Sequence, residues 1–216
     1  MIQAIIFDFD GVILESVSVK TEAFRRLFSF TPKHVDEIIQ YHKENGGMSR
    51  YDKFRYIYKN ILQEDLTQQK FVELSEKFAA IVFQEVIKAH FVPGAHELLE
   101  LYYSKIPLYV VSATPEEELW QIIQKRGLTH YFREVYGAPR KKSECIIEIL
   151  NLTGISPDCV MFVGDAKNDL VAARKAGVRF IGRVKKGDEN PFTGLVGVEA
   201  EISDMHELAT YIEVHR

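Results

Sequence analysis

The sequence predicts an α/β protein, with a parallel β-sheet that is covered by helices on both faces. Short apolar runs rich in Ile, Val and Phe end at Gly or Asp, as buried parallel strands do. Amphipathic helical patterns separate these runs, and this alternation of strand and helix is typical of a parallel sheet. The alternation is interrupted once, after the first run, by a long stretch that shows helical patterns only.

Five short runs are predicted to be the strands of this sheet. They cover residues 4–11 (AIIFDFDG), 107–114 (PLYVVSAT), 133–139 (REVYGAP, the weakest), 159–165 (CVMFVGD) and 177–182 (GVRFIG). Apolar residues at helical spacing predict the intervening helices over 94–104, 116–126, 142–152 and 168–176. Gly127 and Gly177 stand where glycine commonly caps the C-terminus of a helix.

The stretch from Glu15 to about His90 contains no convincing strand. Its pattern predicts helices over residues 18–28, 34–43, 50–62 and 67–88. One apolar stripe marks the last of them: Phe71, Leu74, Phe78, Val82 and Val86. We therefore expect two domains, an α/β core of residues 1–14 and 91–216 and an inserted helical domain of residues 15–90.

Composition and charge argue against several classes of protein. The 216 residues carry 27 Lys and Arg against 31 Asp and Glu, a formal net charge of -4, which does not favour nucleic-acid binding. No apolar run approaches the roughly 20 residues that cross a bilayer. The N-terminal run contains acidic residues, unlike a secretory signal, and Cys145 and Cys159 offer no disulfide framework. We expect a cytoplasmic protein with no nucleic-acid or membrane partner.

Polar side chains stand at the carboxyl ends of three predicted strands: Asp8 and Asp10, Ser112 and Thr114, and Asp165 followed by Asp169. In a parallel sheet these ends lie along one edge, where ligands bind. Two carboxylates about 4 Å apart repel by about 4 kcal/mol at an effective dielectric near 20, so several of them require a cation. Oxygen ligands without His or Cys nearby favour Mg²⁺.

Four segments together resemble the motifs of the haloacid dehalogenase superfamily. They are FDFDGV at residues 7–12, VVSAT at 110–114, a lysine after GAP, and VGDAKNDLVAARKAG at 163–177. The helical insert after the first motif resembles the C1 cap of the phosphoglycolate phosphatase and β-phosphoglucomutase branch. The resemblance implies a Rossmann-like, three-layer core with a C1 cap. It also implies Mg²⁺-dependent hydrolysis of a small phosphate monoester, such as a sugar phosphate or a small organic phosphate.

The resemblance also implies a role for each acidic residue. Asp8 would attack phosphorus and form an aspartyl-phosphate, which water then hydrolyses. Asp10 would protonate the leaving alcohol and later deprotonate the water, while its backbone carbonyl binds Mg²⁺. Asp165 would be a metal ligand, and Asp169 a ligand or a neighbour that orients one.

Phosphate contacts are implied for the second and third motifs. Ser112, the amide of Ala113 and Thr114 would hold the phosphoryl oxygens, although Ser112 and Thr114 could also cap the following helix. The motif lysine is Lys142 if GAPRKK follows the G-x-P-x-x-K form of the motif, and Lys141 is the alternative. This lysine would counter the charge that nucleophile and phosphate share.

The segment NGGMSR at residues 45–50 lies between two predicted helices of the insert. A similar segment in the β-phosphoglucomutase branch points its arginine towards the substrate, so Arg50 would bind substrate oxygens. A structural salt bridge is the other interpretation of Arg50.

Three alternatives to a phosphatase stay open. A phosphomutase of the β-phosphoglucomutase type often carries a cap histidine shortly after the first motif, where this chain has Lys20 and Thr21. A phosphonate hydrolase needs a Schiff-base lysine, and Lys20 lies near that place. A catalytically silent binding protein would be expected to lack Asp8, Asp10 or the motif lysine. The presence of Asp10 argues against a dehalogenase. The substrate's identity, and whether the protein is a monomer or a homodimer, are left open.

Overall fold

A six-stranded parallel sheet forms the centre of the computed structural model, which describes residues 1–215. The strands are β1 (Ala4–Phe7), β2 (Leu108–Pro115), β3 (Glu134–Ala138), β4 (Val160–Gly164), β5 (Arg179–Arg183) and β6 (Ala200–Ile202). The five predicted strands are confirmed, but the first ends at Phe7 instead of reaching Gly11. Strand β6 was not predicted, because three residues are too short to show a pattern.

Between β1 and β2 the chain forms a helical segment, residues 17–88, which was predicted as an insert. Its helices are α1 (Val17–Leu27), α2 (Val35–Glu44), α3 (Arg50–Tyr56) and α4 (Gln68–Lys88). The predicted helix over 50–62 is wrong in one respect, since the chain widens into a π-helix over Ile57–Leu62. This π-helix ends at Gln63, a residue in the left-handed conformation.

Further helices cover both faces of the sheet: α5 (Ala95–Tyr102), α6 (Glu116–Lys125), α7 (Lys142–Thr153), α8 (Lys167–Ala176) and α9 (Met205–Val214). Successive strand residues face opposite layers, so Ile5 and Phe7 pack in the apolar cluster of α5, α6 and α9. Ala4 and Ile6 pack in the cluster of α7 and α8. The Rossmann-like, three-layer fold is thereby confirmed. Helix α9 was not predicted, although its capping Asp204 could have indicated it.

The strand order is β3-β2-β1-β4-β5-β6, so the chain winds in opposite directions from β1. Such a reversal leaves a crevice outside the carboxyl ends of the strands on either side of it. These strands are β1 and β4, which pair in parallel from Ala4 to Phe7. The residues that follow them, Asp8 and Asp165, therefore enter the same crevice.

The chain passes between the sheet and the helical segment at two adjacent points. Leu14 pairs with Phe91 in an antiparallel bridge. The amide of Glu15 donates to the carbonyl of His90 at 2.9 Å, and that of Val92 donates to the carbonyl of Ile13 at 3.0 Å. The predicted domain boundaries at 14–15 and 90–91 thus lie side by side. Over residues 1–215, no helix is long and apolar enough to span a bilayer.

Buried phenylalanines hold the helical segment together. The fully buried Phe54 on α3 packs against Phe24 on α1 and Phe78 on α4, with ring centroids 5.8 Å and 6.2 Å away, and these two rings also contact each other at 4.9 Å. Aromatic rings at these separations contribute both buried apolar area and favourable ring geometry. Packing of this kind stabilises the segment against its loss of chain entropy.

We predict that Phe54→Ala destabilises the protein by about 3–5 kcal/mol, since it leaves a cavity among these rings. Phe30→Ala is the matched control, because Phe30 is 55% exposed, and it should cost less than about 1 kcal/mol. Urea unfolding monitored by circular dichroism measures both. Equal losses for the two variants would contradict the assignment of Phe54 to the centre of this cluster.

Candidate active site

The carboxyl ends of β1, β2 and β4 form the floor of a cavity of about 1320 Å³, and the helical segment forms its opposite wall. Asp8, Asp10 and Asp165 line the floor. The strand-end residues Ser112, Ala113 and Thr114 line the same cavity, as does Arg50 from α3. The cavity therefore brings together residues from the first, second and fourth predicted motifs and from the helical segment.

Three carboxyl groups meet at the floor. Oxygen atoms of Asp8, Asp165 and Asp169 all lie within 4.8 Å of one another. The backbone of Asp8 is fixed against β4, because its amide donates to the carbonyl of Val163 at 2.9 Å. Its Oδ1 accepts the amide of Phe9 at 2.7 Å. The turn after β1 thus points this side chain at the other two carboxyl groups.

Lys142 lies within this acidic group. Its Nζ is 2.8 Å from Oδ2 of Asp8 and 2.6 Å from Oδ1 of Asp169. The neighbouring Lys141 is exposed and lies 3.8 Å from Glu144 on the surface. Of the two candidates for the motif lysine, Lys142 is therefore the one at the site. Burial lowers the pKa of Lys142, but Asp169 and Asp8 outweigh this effect and raise it, so Lys142 is a cation.

The site has an excess of negative charge. Burial raises the pKa of Asp8 and that of Asp165, and the neighbouring carboxyl groups raise both further. One lysine cannot neutralise three carboxylates, whereas a divalent cation would offset the remaining charge. The donors are carboxylate oxygens, which suit a hard cation such as Mg²⁺. The residues present therefore fit a divalent metal ion.

Both carboxylate oxygens of Asp169 have partners within the protein. The residue is fully buried in the first turn of α8, and its Oδ2 accepts the amide of Ala166 at 3.0 Å. Its Oδ1 accepts from Lys142. Because Asp169 also belongs to the group of three carboxyl groups, its role as a ligand or as an orienting neighbour stays a prediction.

The side chain of Asp10 lies outside the close group of three carboxyl groups and forms its own network. Oδ1 accepts from the Ser16 hydroxyl at 2.6 Å, and Oδ2 accepts from the Thr114 hydroxyl at 2.9 Å and from Lys20. Burial raises the pKa of Asp10, but Lys20 and these hydrogen bonds outweigh it, and the pKa is lowered. Asp10 is therefore ionised. Lys20 donates to Thr114 as well, at 2.7 Å.

Two residues that were expected to contact the substrate have partners within the protein. The hydroxyl of Thr114, expected to contact phosphate, is engaged by Asp10 and Lys20. Arg50, expected to contact substrate, forms a buried ion pair with Glu118 on α6 at 2.6 Å. Arg50 therefore forms the salt bridge that the sequence left as its second interpretation, and it also lines the cavity, so its contact with substrate stays a prediction.

The sequence did not identify Lys20 as a partner of Asp10. Helix α1 belongs to the helical segment, so this ion pair joins that segment to the floor of the site. A lysine about three helical turns beyond the first motif was visible in the sequence, but its partner Thr114 lies far along the chain. Only the fold brings them together.

Comparison with known proteins identifies the class. Residues 5–183 match the family described as haloacid dehalogenase-like hydrolase. A phosphorylated carbohydrates phosphatase from Thermotoga maritima is 27% identical, and the alignment covers 83% of this chain and 83% of that protein. A phosphoglycolate phosphatase from Aliivibrio fischeri is 28% identical, with 82% and 81% covered.

Solved structures show the same fold. A hydrolase from Pseudomonas syringae superimposes with a TM-score of 0.81 at 18% identity, covering 98% of each chain. A haloacid dehalogenase-like hydrolase from Streptococcus pneumoniae gives a TM-score of 0.74 at 20% identity, also over 98% of each chain. The chain belongs to the haloacid dehalogenase-like hydrolase family, and the predicted resemblance and the prediction of an enzyme are confirmed.

We predict that Gly11→Ala disrupts the site, because a Cβ at Gly11 would lie 2.1 Å from Oδ2 of Asp165. Gly127→Ala is the matched control, since Gly127 has a similar positive φ but nothing within 4 Å. The control should lose about 1–2 kcal/mol from backbone strain alone. Gly11→Ala should lose about 1–3 kcal/mol more, from overpacking. Denaturant unfolding measures both, and equal losses would show that Asp165 can move aside freely.

Proposed function

We propose that this protein is a Mg²⁺-dependent phosphatase that hydrolyses a small phosphate monoester through an aspartyl-phosphate intermediate. The observation that carries the proposal is the position of Asp8, which lies against Lys142 and Asp165 with Asp10 nearby, at the floor of the cavity between the sheet and the helical segment. The relatives named as phosphatases of phosphorylated carbohydrates and of phosphoglycolate support the same reaction class. We place it in the cytoplasm, acting on a phosphorylated metabolite.

Asp8 is the proposed nucleophile. Its carboxylate attacks phosphorus, the bond from phosphorus to the alcohol oxygen breaks, and the phosphoryl group passes to Asp8. Lys142, at 2.8 Å, offsets the charge that Asp8 and the phosphoryl oxygens share. Ser112 and the amide of Ala113 are the proposed donors to those oxygens, since both residues line the cavity at the end of β2.

Asp10 is the proposed acid and base. Because the carboxylate of Asp10 is ionised in the free site, it first takes up the proton that the monoanion of the phosphate ester brings, and gives this proton to the leaving alcohol. Lys20, Ser16 and Thr114 stabilise the carboxylate that results. In the second step that carboxylate takes a proton from the water that attacks the aspartyl-phosphate. This proton leaves with the inorganic phosphate, so Asp10 returns to its ionised state.

Asp8 and Asp165 would hold Mg²⁺ together with the backbone carbonyl of Asp10, and Asp169 would orient the site from behind. When bound, the ion offsets negative charge on the phosphoryl oxygens. The carboxylate cluster supports this assignment, because its charge exceeds what Lys142 alone can balance.

Residues 15–90 are the proposed cap, and the rest of the chain is the catalytic core. Two contacts join the proposed cap to the rest of the chain beside the site. The Asn168 amide group donates to the carbonyl of Gly46 at 2.7 Å, and Arg50 pairs with Glu118. A cap in this position encloses the reacting groups, and it favours a small substrate over a phosphoprotein.

We predict that Asp8→Asn lowers phosphate release from p-nitrophenyl phosphate by about 10³-fold or more, since it removes the nucleophile. Asp188→Asn, at an exposed position on the rim of the cavity, is the matched control and should keep its activity. Chelation of Mg²⁺ should abolish activity, and added Mg²⁺ should restore it. An active Asp8→Asn enzyme would refute the proposed intermediate.

The products separate this proposal from the phosphomutase alternative. A phosphatase releases free phosphate from a sugar phosphate, whereas a mutase returns an isomerised sugar phosphate. Both can be followed in one reaction by phosphorus NMR.

We also predict that Lys142→Met lowers kcat/KM by about 10²-fold, because a charge that stabilises the transition state is lost. Lys141→Met removes the same charge from the adjacent, exposed residue and should change kcat/KM by less than about 2-fold. Circular dichroism confirms that both variants are folded. A larger loss in Lys141→Met than in Lys142→Met would reverse the assignment of the motif lysine.

A further inference from the structure

Lys53 is a buried lysine in the wall of the cavity opposite the catalytic carboxylates. It lies one helical turn after Arg50 on α3, lines the same cavity, and is only 4% exposed. Its Nζ donates to the carbonyl of His42 at 3.1 Å and lies 3.1 Å from Nδ1 of the same residue. An ammonium group has three N–H donors, so these contacts leave one of them for a ligand.

Lys53 differs from the other buried or half-buried cations of the cavity in having no carboxylate partner. Lys20 pairs with Asp10, Arg50 with Glu118, and Arg183 with Glu15. Within residues 1–215, no carboxylate lies within ion-pair distance of Lys53. A buried ammonium without a counter-charge is costly.

The surroundings of Lys53 are consistent with a missing negative charge. Burial lowers the pKa of Lys53 to about 7, and Lys20 lowers it further than Asp165 raises it. Burial and the lysines nearby lower the pKa of His42 to about 2, so this histidine is neutral. His42 can therefore accept a hydrogen bond from Lys53, but it cannot supply the charge.

We propose that Lys53 binds a carboxylate on the substrate, so that the preferred substrate is a small phosphomonoester of a hydroxy acid. This inference rests on the proposed function, which places the phosphate at Asp8. The carboxylate then lies at the helical wall and supplies the counter-charge that Lys53 lacks. A second phosphate would bring up to two negative charges to a place where Arg50 is already neutralised by Glu118. A single carboxylate matches the single free charge better.

The test compares two esters that differ only in this group, phosphoglycolate and 2-hydroxyethyl phosphate. The wild-type enzyme should favour phosphoglycolate in kcat/KM by about 10-fold or more, the effect of one charge-assisted hydrogen bond. Lys53→Met should bring this ratio close to 1, mainly by raising KM for phosphoglycolate. Lys43→Met, an exposed lysine on the rim of the same cavity, should leave the ratio within about 2-fold of wild type.

Several results would overturn the inference. A wild-type ratio near 1 would do so without any variant, even if Lys53→Met failed to fold. If a folded Lys53→Met enzyme lost kcat/KM for both esters by the same factor, Lys53 would have a purely structural role. Faster turnover of ethylene glycol bisphosphate than of phosphoglycolate would assign the position to a second phosphate.

The same assays separate the inference from the proposed function. If p-nitrophenyl phosphate is hydrolysed with Mg²⁺ and requires Asp8, but the two esters react equally, only the inference fails. If no ester releases phosphate in a Mg²⁺-dependent reaction, the proposed function fails and the inference with it.

Discussion

The crowding of three carboxyl groups around a single lysine is the constraint on which the site depends. At separations of this order, each pair of carboxylates repels by about 4 kcal/mol at an effective dielectric near 20. Lys142 contacts Asp8 and Asp169 directly, but it supplies one positive charge. The fold tolerates this arrangement because the sheet holds the residues rigidly, and because a cation at the site would turn repulsion into attraction.

Glycines make this close approach possible. A Cβ on Gly164, at the end of β4, would lie 2.4 Å from Cβ of Asp169, so the buried carboxylate can sit directly above the strand. Gly11 leaves room for Asp165 in the same way. Both glycines belong to segments that were identified as motifs. Both positions therefore require glycine for a steric reason, and Gly11, with φ at 74°, requires it for a conformational reason too.

The helical segment contributes to the site as well as covering it. Lys20 neutralises Asp10, while Arg50 fastens α3 to α6 through Glu118. These contacts pair a charge from the segment with a charge from the sheet domain. The segment therefore balances the charge of Asp10, and its buried Lys53, which has His42 but no carboxylate as a partner in the described structure, marks where a substrate group can interact.

Local sequence patterns predicted the strands β1 to β5, the helices between them, and the residues that gather at the strand ends. It could do so because hydrophobic periodicity and glycine caps are local signals, and because the motifs lie at strand ends that a parallel sheet places together. The short strand β6 carries too little local pattern to be recognised. The motif pattern favoured Lys142 over Lys141, but only the fold shows that Lys142 contacts the carboxyl groups while Lys141 lies on the surface.

Which charged side chains pair across the site could not be predicted from the sequence and follows from the tertiary structure. Lys20 contacts Thr114, and Arg50 contacts Glu118, across separations of 94 and 68 residues. No local pattern encodes such pairs, because they depend on how the helical segment packs against the sheet. The sequence also could not predict that Lys53 lacks a carboxylate partner. This follows from its burial and from the absence of an acidic side chain among its neighbours in the described structure. The sequence thus specifies the reacting groups, and the fold specifies how their charges are balanced.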